Sequence, residues 1–439
     1  MQGERKTLTQ LSVPICLETL FYMLSGMVDT LMLSSVSDQA VGAVGTANTY
    51  IGVFIIMFGV ISSGMVAVMS QNIGAGRPGI AYQARQLGLV FNALTGILIS
   101  VVLAVFSGGI LRAVSIAPAL LESAETYLKI VGGASFLNAL IPIFSSYLRV
   151  FGYTKHSLIG TVVGNVINII LNSVFLFVFH WGVMGVATAT VISKAVNLII
   201  VAAMGAVLIK AKQSPEREQP RRILAQIVKI GFPSAFETAL YNVAMTFIVC
   251  FMNHMDTDGM NVTARSYAMQ IANFSYCVGA ALAQANAIMT GWRIGAKKYE
   301  ECDRGTRKAV IYGLVTATCF SVTFAITGRF IVHIFTNDIQ MIELVVKLLV
   351  VDIFLEFGRV TNLVYGQALK TSGDAIFPVI MGAIFMYLFA VGGTYFLGIH
   401  MGLLAVGAYI AMAGDECARA VGMVLRWKSG KWKSKSLVE

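Results

Sequence analysis

Glu18, Tyr22 and Asp29 stand inside one apolar run, Leu11 to Ser34. Burying a carboxyl at the middle of a bilayer costs about 2.5–3.5 kcal/mol even on the mildest scale, so an acid kept there has a partner or a task. Glu18 and Asp29 are eleven residues apart, which at helical pitch is about three turns and about 16 Å of rise, so both carboxylates and Tyr22 share a face. That face must meet protein or water rather than lipid. A carboxyl so placed can take up and release a proton or hold a cation.

Other polar groups recur inside apolar runs. Asn165, Asn168 and Asn172 follow one another at three and four residues and form an amide stripe, with Asn138 in the preceding run. The stripe either packs helices or lines an ion or substrate path. Asp352, Glu356 and Arg359 fall at i, i+4 and i+7, either as an internally neutralised group or as a cavity lining that changes partners. Lys194, Asp415, Glu416 and Arg419 are also intramembrane; Asp415 and Arg419, one turn apart, are spaced to pair.

Familiar enzymatic patterns are absent or out of context. Gly74-Ala-Gly-Arg-Pro-Gly79 matches GxGxxG by letter, but it joins two apolar spans instead of a strand and a helix, which makes it a tight turn. There is no GxxxxGK[ST], HExxH or GxSxG. The histidines (His156, His180, His254, His333, His400) fall at span ends or in loops, and the six cysteines are scattered without a CxxC. The chain is expected not to be an enzyme and to carry no cofactor and no structural metal.

The elements that must position these residues are membrane helices. Of 439 residues, 57% are hydrophobic and 12% charged, and mean hydropathy is +0.76, whereas soluble domains carry about 25% charge. Twelve apolar spans are expected, at about 11–34, 43–73, 86–108, 122–148, 157–180, 184–209, 231–254, 262–292, 309–335, 341–368, 375–398 and 402–425. The first span serves as the insertion signal. The net charge of +10 lies in short loops without interleaved aromatics, which argues against nucleic acid.

Basic residues gather on one side: Arg5 and Lys6, Arg77 and Arg85, Arg149 and Lys155, the linker with Lys212, the stretch Arg293 to Lys308, Lys370 and the C-terminal tail. Opposite loops carry Asp38, Asp256, Asp258 and Asp338. By the positive-inside rule both termini are cytoplasmic.

The first span also has an echo. Pro14, Glu18, Thr19 and Tyr22 reappear in the same spacing as Pro233, Glu237, Thr238 and Tyr241; Leu148-Arg149 answers Leu369-Lys370, and His180-x-Gly182 answers His400-x-Gly402. Six spans per copy keep both copies in one orientation, so the expected fold is all-α, with twelve transmembrane helices in two parallel six-helix repeats around a central cavity. The domains are an N-lobe at 1–209, a linker at 210–230 and a C-lobe at 231–439. Ile223 to Gly231 is expected to lead along the membrane interface into the seventh span.

With Val28-Asp29 in the first span, Gln71-Asn-Ile-Gly-Ala-Gly76 after the second, Leu148-Arg149-x-x-Gly152 after the fourth, Gly164-Asn-Val-Ile-Asn168 in the fifth and Gly182-Val-Met-Gly-Val-Ala-Thr-Ala189 opening the sixth, the chain resembles the multidrug and toxic compound extrusion (MATE) family. The resemblance covers nearly the whole chain. It implies two lobes around a V-shaped cavity and export of organic compounds in exchange for H⁺ or Na⁺. Asp29 matches the family's usual coupling carboxylate. Two positions depart from the pattern: Asn172 stands where Asn-x-x-x-Asp often has its acid, and Arg359 where some branches carry an acid.

The expected function is therefore secondary active export of small organic compounds by H⁺ or Na⁺ antiport with alternating access. A related flippase for lipid-linked oligosaccharide or lipid is the alternative. Asp29, Asn165, Asn168 and Asn172 are expected at the ion-coupling site, which would also hold Na⁺ if that is the ion. Glu18, Tyr22, Asn138, Glu237, Tyr241, Asp352, Glu356 and Arg359 are expected in the substrate cavity. The expected setting is the inner (cytoplasmic) membrane, as a monomer among lipids, with no nucleic-acid partner.

Overall fold

A computed structural model describes residues 6–35, 37–113, 116–211, 214–255 and 259–438. Arg5, Lys212, Asp256 and Asp258 lie outside the described residues, as does the side chain of Asp38. Helices joined by short turns and loops make up the described residues, without a strand.

The helices are α1 (Leu8–Ser34), α2 (Asp38–Gly74), α3 (Pro78–Ala113), α4 (Pro118–Tyr127), α5 (Ser135–Val150), α6 (Thr154–Ser173), α7 (Gly182–Leu208), α8 (Pro220–Asn253), α9 (Met260–Gly295), α10 (Tyr299–His333), α11 (Ile339–Ser372), α12 (Ile376–Phe385) and α13 (Leu404–Lys428). Their ends follow local chemistry. Pro78, Pro118 and Pro220 open α3, α4 and α8, where the missing N–H costs nothing. Asp338 caps α11 by accepting from Gln340 N at 2.9 Å.

Merging broken helices gives twelve spans among the described residues, in register with the sequence expectation. α4 runs through a π-helical turn (Leu128–Gly132) into α5, the pair bent by 41°. α6 continues through Val174–Val178, and α12 through Met386–Val391 towards His400. Seven helices are long and apolar enough to cross a membrane, nine if each bent pair is one span. The other three, α9, α11 and α13, have 36, 34 and 25 residues and are shorter in hydropathy, not in length. They carry Arg265, Asp352, Glu356, Arg359, Asp415, Glu416 and Arg419, and they pack on one another. Large apolar side chains stay uncovered on the bundle exterior, Ile326 at 77% and Phe330 at 78% exposure, as lipid contact allows and water does not.

The chain divides into two compact units, one built on Val13–Gly231 and the other on Phe232–Glu439 with Leu8–Ser12. In the first, α3 packs on α2 and α5, and α6 on α7, around a core that includes Leu33, Phe58, Leu103 and Tyr127. In the second, α9, α10 and α11 pack together and α13 packs on α11, around Ile248, Met252, Leu348 and Tyr409. The segment Ile223 to Gly231, expected to lead into the seventh span, is helical and continuous with it in α8.

The GxGxxG stretch is the turn between α2 and α3. Gly76 has φ +75°, and a Cβ on Gly79 would lie 2.5 Å from the carbonyl oxygen of Glu216. The linker docks on this turn: Glu218 N donates to Gln83 Oε1 at 2.9 Å. The equivalent turn after α9 repeats the geometry without the glycine, since Lys297 takes φ +59° and Lys298 N bonds Arg293 O at 2.8 Å, as Arg77 N bonds Asn72 O at 2.8 Å. A phosphate cradle would not dispense with its glycine; a turn does.

The C-terminal tail folds back on the second unit. Trp432, in the short helix Lys431–Lys435, stacks on Trp427 at 4.2 Å between centroids, and its indole N–H donates to Trp427 O at 2.9 Å. The fully buried carboxylate of Asp374, in the α11–α12 turn, accepts from Arg426 Nε at 2.7 Å and Lys435 Nζ at 2.7 Å.

Candidate functional site

In the first unit a polar cluster surrounds Asp29. Asn172 Nδ2 donates to Asp29 Oδ1 at 2.6 Å and to Asn168 Oδ1 at 3.3 Å, so α6 delivers two of the expected amides to α1. Three- and four-residue spacing on a helix makes this geometry possible, with Asn168 reaching α1 only through Asn172. Asn165 bonds the backbone instead: its Nδ2 donates to the Phe21 carbonyl at 2.6 Å and ties the two helices together. Lys194, on α7, lies within electrostatic range of Asp29 and donates from Nζ to Asn138 Oδ1 at 2.9 Å. Asp29 itself has no ion-pair partner within 4.0 Å among the described residues.

Glu18, on the same face of α1, is fixed. Arg149 Nη2 reaches its Oε1 at 2.7 Å, and Ser157 Oγ donates to the same oxygen at 3.0 Å. The second unit repeats the clamp with Lys370 Nζ and Glu237 Oε2 at 2.5 Å. Each unit thus ties the opening of its first span to the basic residue that closes its fourth.

The second unit holds a cavity of about 440 Å³, in the size range of small-molecule sites. Of the residues expected in a cavity, Glu237, Tyr241, Asp352 and Arg359 line it. Glu356 stands behind, bonded to Arg359 Nη1. Glu18, Tyr22 and Asn138 belong to the first unit and are not among the residues lining this cavity. The wall adds Arg265, Lys370, Glu416 and Arg419 to the charges, with Met245, Met269, Met412 and Tyr276 as adaptable or aromatic surface.

Four of these charges, Glu356, Arg359, Glu416 and Arg419, form one network with Asp415 across α11 and α13. Arg359 pairs with Glu356 and, at 3.7 Å, with Glu416; Arg419 pairs with Glu416 at 2.9 Å and Asp415 at 2.6 Å; Asn362 Nδ2 donates to Glu416 Oε2 at 2.9 Å. The helices can approach this closely because residue 358 is glycine, where a Cβ would lie 2.6 Å from Cys417 N. Arg359 also lies over the Tyr276 ring, 5.7 Å from its centroid.

Arg265 and the Asp374 anchor were not singled out by sequence reasoning. Arg265 stands five residues into the eighth span, a lone intramembrane base, and that alone is a signal of function. Asp374 shares its run with no other acid, and its basic partners lie 52 and 61 residues away.

The MatE family model matches residues 14–174 and 233–396. The chain is similar to the uncharacterized transporter YisQ of Bacillus subtilis (strain 168), 32% identical over 437 residues, which cover 98% of this chain and 96% of that one. It is 26% identical to the probable multidrug resistance protein NorM of Thermotoga maritima, over 99% and 94% of the two chains. Among solved structures, a MATE protein in the bent conformation superposes with a TM-score of 0.88 at 18% identity, over 97% of this chain and 96% of that one. A MOP superfamily transporter from Pyrococcus furiosus, described by the reverse polarity of its binding pocket, gives 0.86 at 18% identity and the same coverage. The two matched segments begin at the repeated prolines and take in both Glu–basic clamps, so the chain belongs to the MatE family of membrane transporters.

Proposed function

We propose that this protein is a secondary active exporter of small organic compounds, working by alternating access and driven by H⁺ entering at Asp29. The observation that carries the reading is the state of the intramembrane acids. Glu18, Glu237, Glu356, Asp415 and Glu416 are each held by a base, whereas Asp29 and Asp352 have no ion-pair partner among the described residues, and of these two Asp29 is held by an amide. An acid fixed by a guanidinium is structural; one held by Asn172 can lose its charge without breaking an ion pair.

Protonating Asp29 removes the charged acceptor that orients Asn172, and with it a charge-assisted hydrogen bond joining α1 to α6. The helices then gain freedom to repack, shifting the balance of inward- and outward-open states. Each charge carried inward through the membrane potential supplies about 2.3 kcal/mol per 100 mV. Lys194 favours H⁺ over Na⁺, because a cation bound at Asp29 would sit within range of a second fixed positive charge, whereas a proton neutralises the carboxyl. Cargo binds in the cavity of the second unit. The relatives named as multidrug resistance proteins support export, and the basic loops support both termini being cytoplasmic.

The test is uptake of cationic, zwitterionic and anionic fluorophores into proteoliposomes under separately imposed pH and sodium gradients. A pH gradient alone drives uptake on this account. Uptake that follows the sodium gradient alone contradicts the H⁺ assignment, and uptake indifferent to both contradicts coupled export.

A further inference from the structure

The cavity of the second unit carries one base and one acid that its charge network leaves out. Among the charged residues lining it, Lys370 is paired with Glu237, Arg359 with Glu356 and Glu416, and Arg419 with Asp415 and Glu416. Arg265 and Asp352 have no ion-pair partner among the described residues, although they are only 8% and 4% exposed.

Among the described residues Arg265 Nε is buried without a hydrogen-bond partner, and the guanidinium's one polar contact is Nη2 to Met245 Sδ at 3.7 Å. A thioether is a weak acceptor, and an uncompensated buried charge is expensive. Such a group is retained where an occupant brings the missing acceptor. Asp352 likewise accepts no hydrogen bond from a described residue. The base nearest it in effect is Arg359, already committed to Glu356 and Glu416. Arg265 comes from α9 and Asp352 from α11, and Tyr409 on α13 lies within electrostatic range of both.

We propose that this cavity selects amphoteric cargo: an apolar body bearing a carboxylate or similar anion for Arg265 and an ammonium group for Asp352. The proposal rests on the reading of the protein as an exporter of small organic molecules. A cation satisfies Asp352 and leaves Arg265 buried and unpaired; an anion does the reverse; a zwitterion completes both. The methionines and Tyr276 accommodate the apolar body without demanding one shape.

The full chain in lipid nanodiscs, with no gradient, is titrated with 2-naphthylalanine, its methyl ester and its N-acetyl derivative, which share one ring system and are zwitterion, cation and anion. The zwitterion binds at least about tenfold more tightly than either derivative. Arg265→Gln weakens the zwitterion and the N-acetyl derivative and spares the ester, Asp352→Asn weakens the zwitterion and the ester and spares the N-acetyl derivative, and Arg265→Lys partly restores the first pattern. Wild-type protein that binds ester and zwitterion equally overturns the proposal, as does a folded Arg265→Gln protein with unchanged zwitterion affinity. The wild-type series stands even if a variant fails to fold. Because binding is read without a gradient, a chain that selects the zwitterion but moves nothing contradicts the exporter reading alone. A chain that exports a cationic fluorophore yet shows no zwitterion preference contradicts this proposal alone.

Discussion

An acid inside a membrane helix is held either by a base that never leaves or by a partner that comes and goes, and single substitutions separate the two. Glu18 is of the first kind: Arg149→Met leaves a buried carboxylate with hydroxyl partners only, and breaking a buried pair from one side costs about 3–5 kcal/mol. The expected outcome is a marked fall in the thermal unfolding midpoint of the purified protein. Lys370→Met, in the matching pair of the second unit, is expected to cost less, because Glu237 lines the cavity and stays in reach of water. Equal losses would contradict that difference.

Asp374 makes a pH prediction. Burial opposes its ionisation, but hydrogen bonds from Arg426 and Lys435 outweigh burial and hold its carboxyl below the ordinary carboxylate range. A depressed folded-state pKa adds stability that is fully present above the unfolded value, near about 3.9, and is lost as pH falls through the lower folded value. The tail therefore stays docked at neutral and mildly acidic pH. Asp374→Asn is expected to make the lysines at 431, 433 and 435 more susceptible to trypsin at pH 7.5; unchanged cleavage would rule out the anchor.

Among the elements, α9, α11 and α13 supply most of the charged wall of the second unit's cavity, and their polarity is why they fall below the hydropathy of the other spans. Gly358→Ala forces a methyl against the α13 backbone and is expected to cost about 1–3 kcal/mol while loosening the Arg359–Glu416 and Asn362–Glu416 contacts. Gly414→Ala, on α13 with nothing within 4 Å of the added methyl, is expected to leave thermal stability unchanged or slightly raised. Similar losses at both sites would mean that the close helix crossing is not what residue 358 serves.

This scale also shows what was legible in the chain. Span number and order follow from apolar length, and the two copies follow from Pro14, Glu18 and Tyr22 against Pro233, Glu237 and Tyr241. Helical periodicity brings Glu356 and Arg359 within reach of one another, and they pair, but it gives no partner from another helix such as Glu416. The Glu18–Arg149 and Glu237–Lys370 clamps were visible only as separate repeats, and their joining is a tertiary fact. Arg265 is marked in the sequence only as a base inside an apolar run, with no acid at helical spacing to suggest a partner. Its meaning comes from what fails to face it.

At the level of the whole molecule, two units that share repeated motifs carry the two proposed tasks. Both keep the Glu–basic clamp. Only the first places an acid at position 29, since the matching step from Glu237 reaches Ile248, fully buried in an apolar core. Only the second has Arg265 and Asp352 unpaired on a cavity. Ion coupling in one unit and cargo selection in the other predict that an Asp29 variant still binds cargo. Asp29→Asn is expected to bind 2-naphthylalanine within about twofold of wild type, since the residue lies outside the cavity.

The central claim is that proton and cargo movement meet at Asp29. It is tested most directly by recording proton flux into proteoliposomes with a pH-sensitive dye while cargo is driven down its gradient, for wild type and Asp29→Asn at matched protein density. The account predicts cargo-dependent proton flux for wild type and its loss, to the level of protein-free liposomes, for Asp29→Asn. Wild-type proton flux through the Asn variant would contradict it.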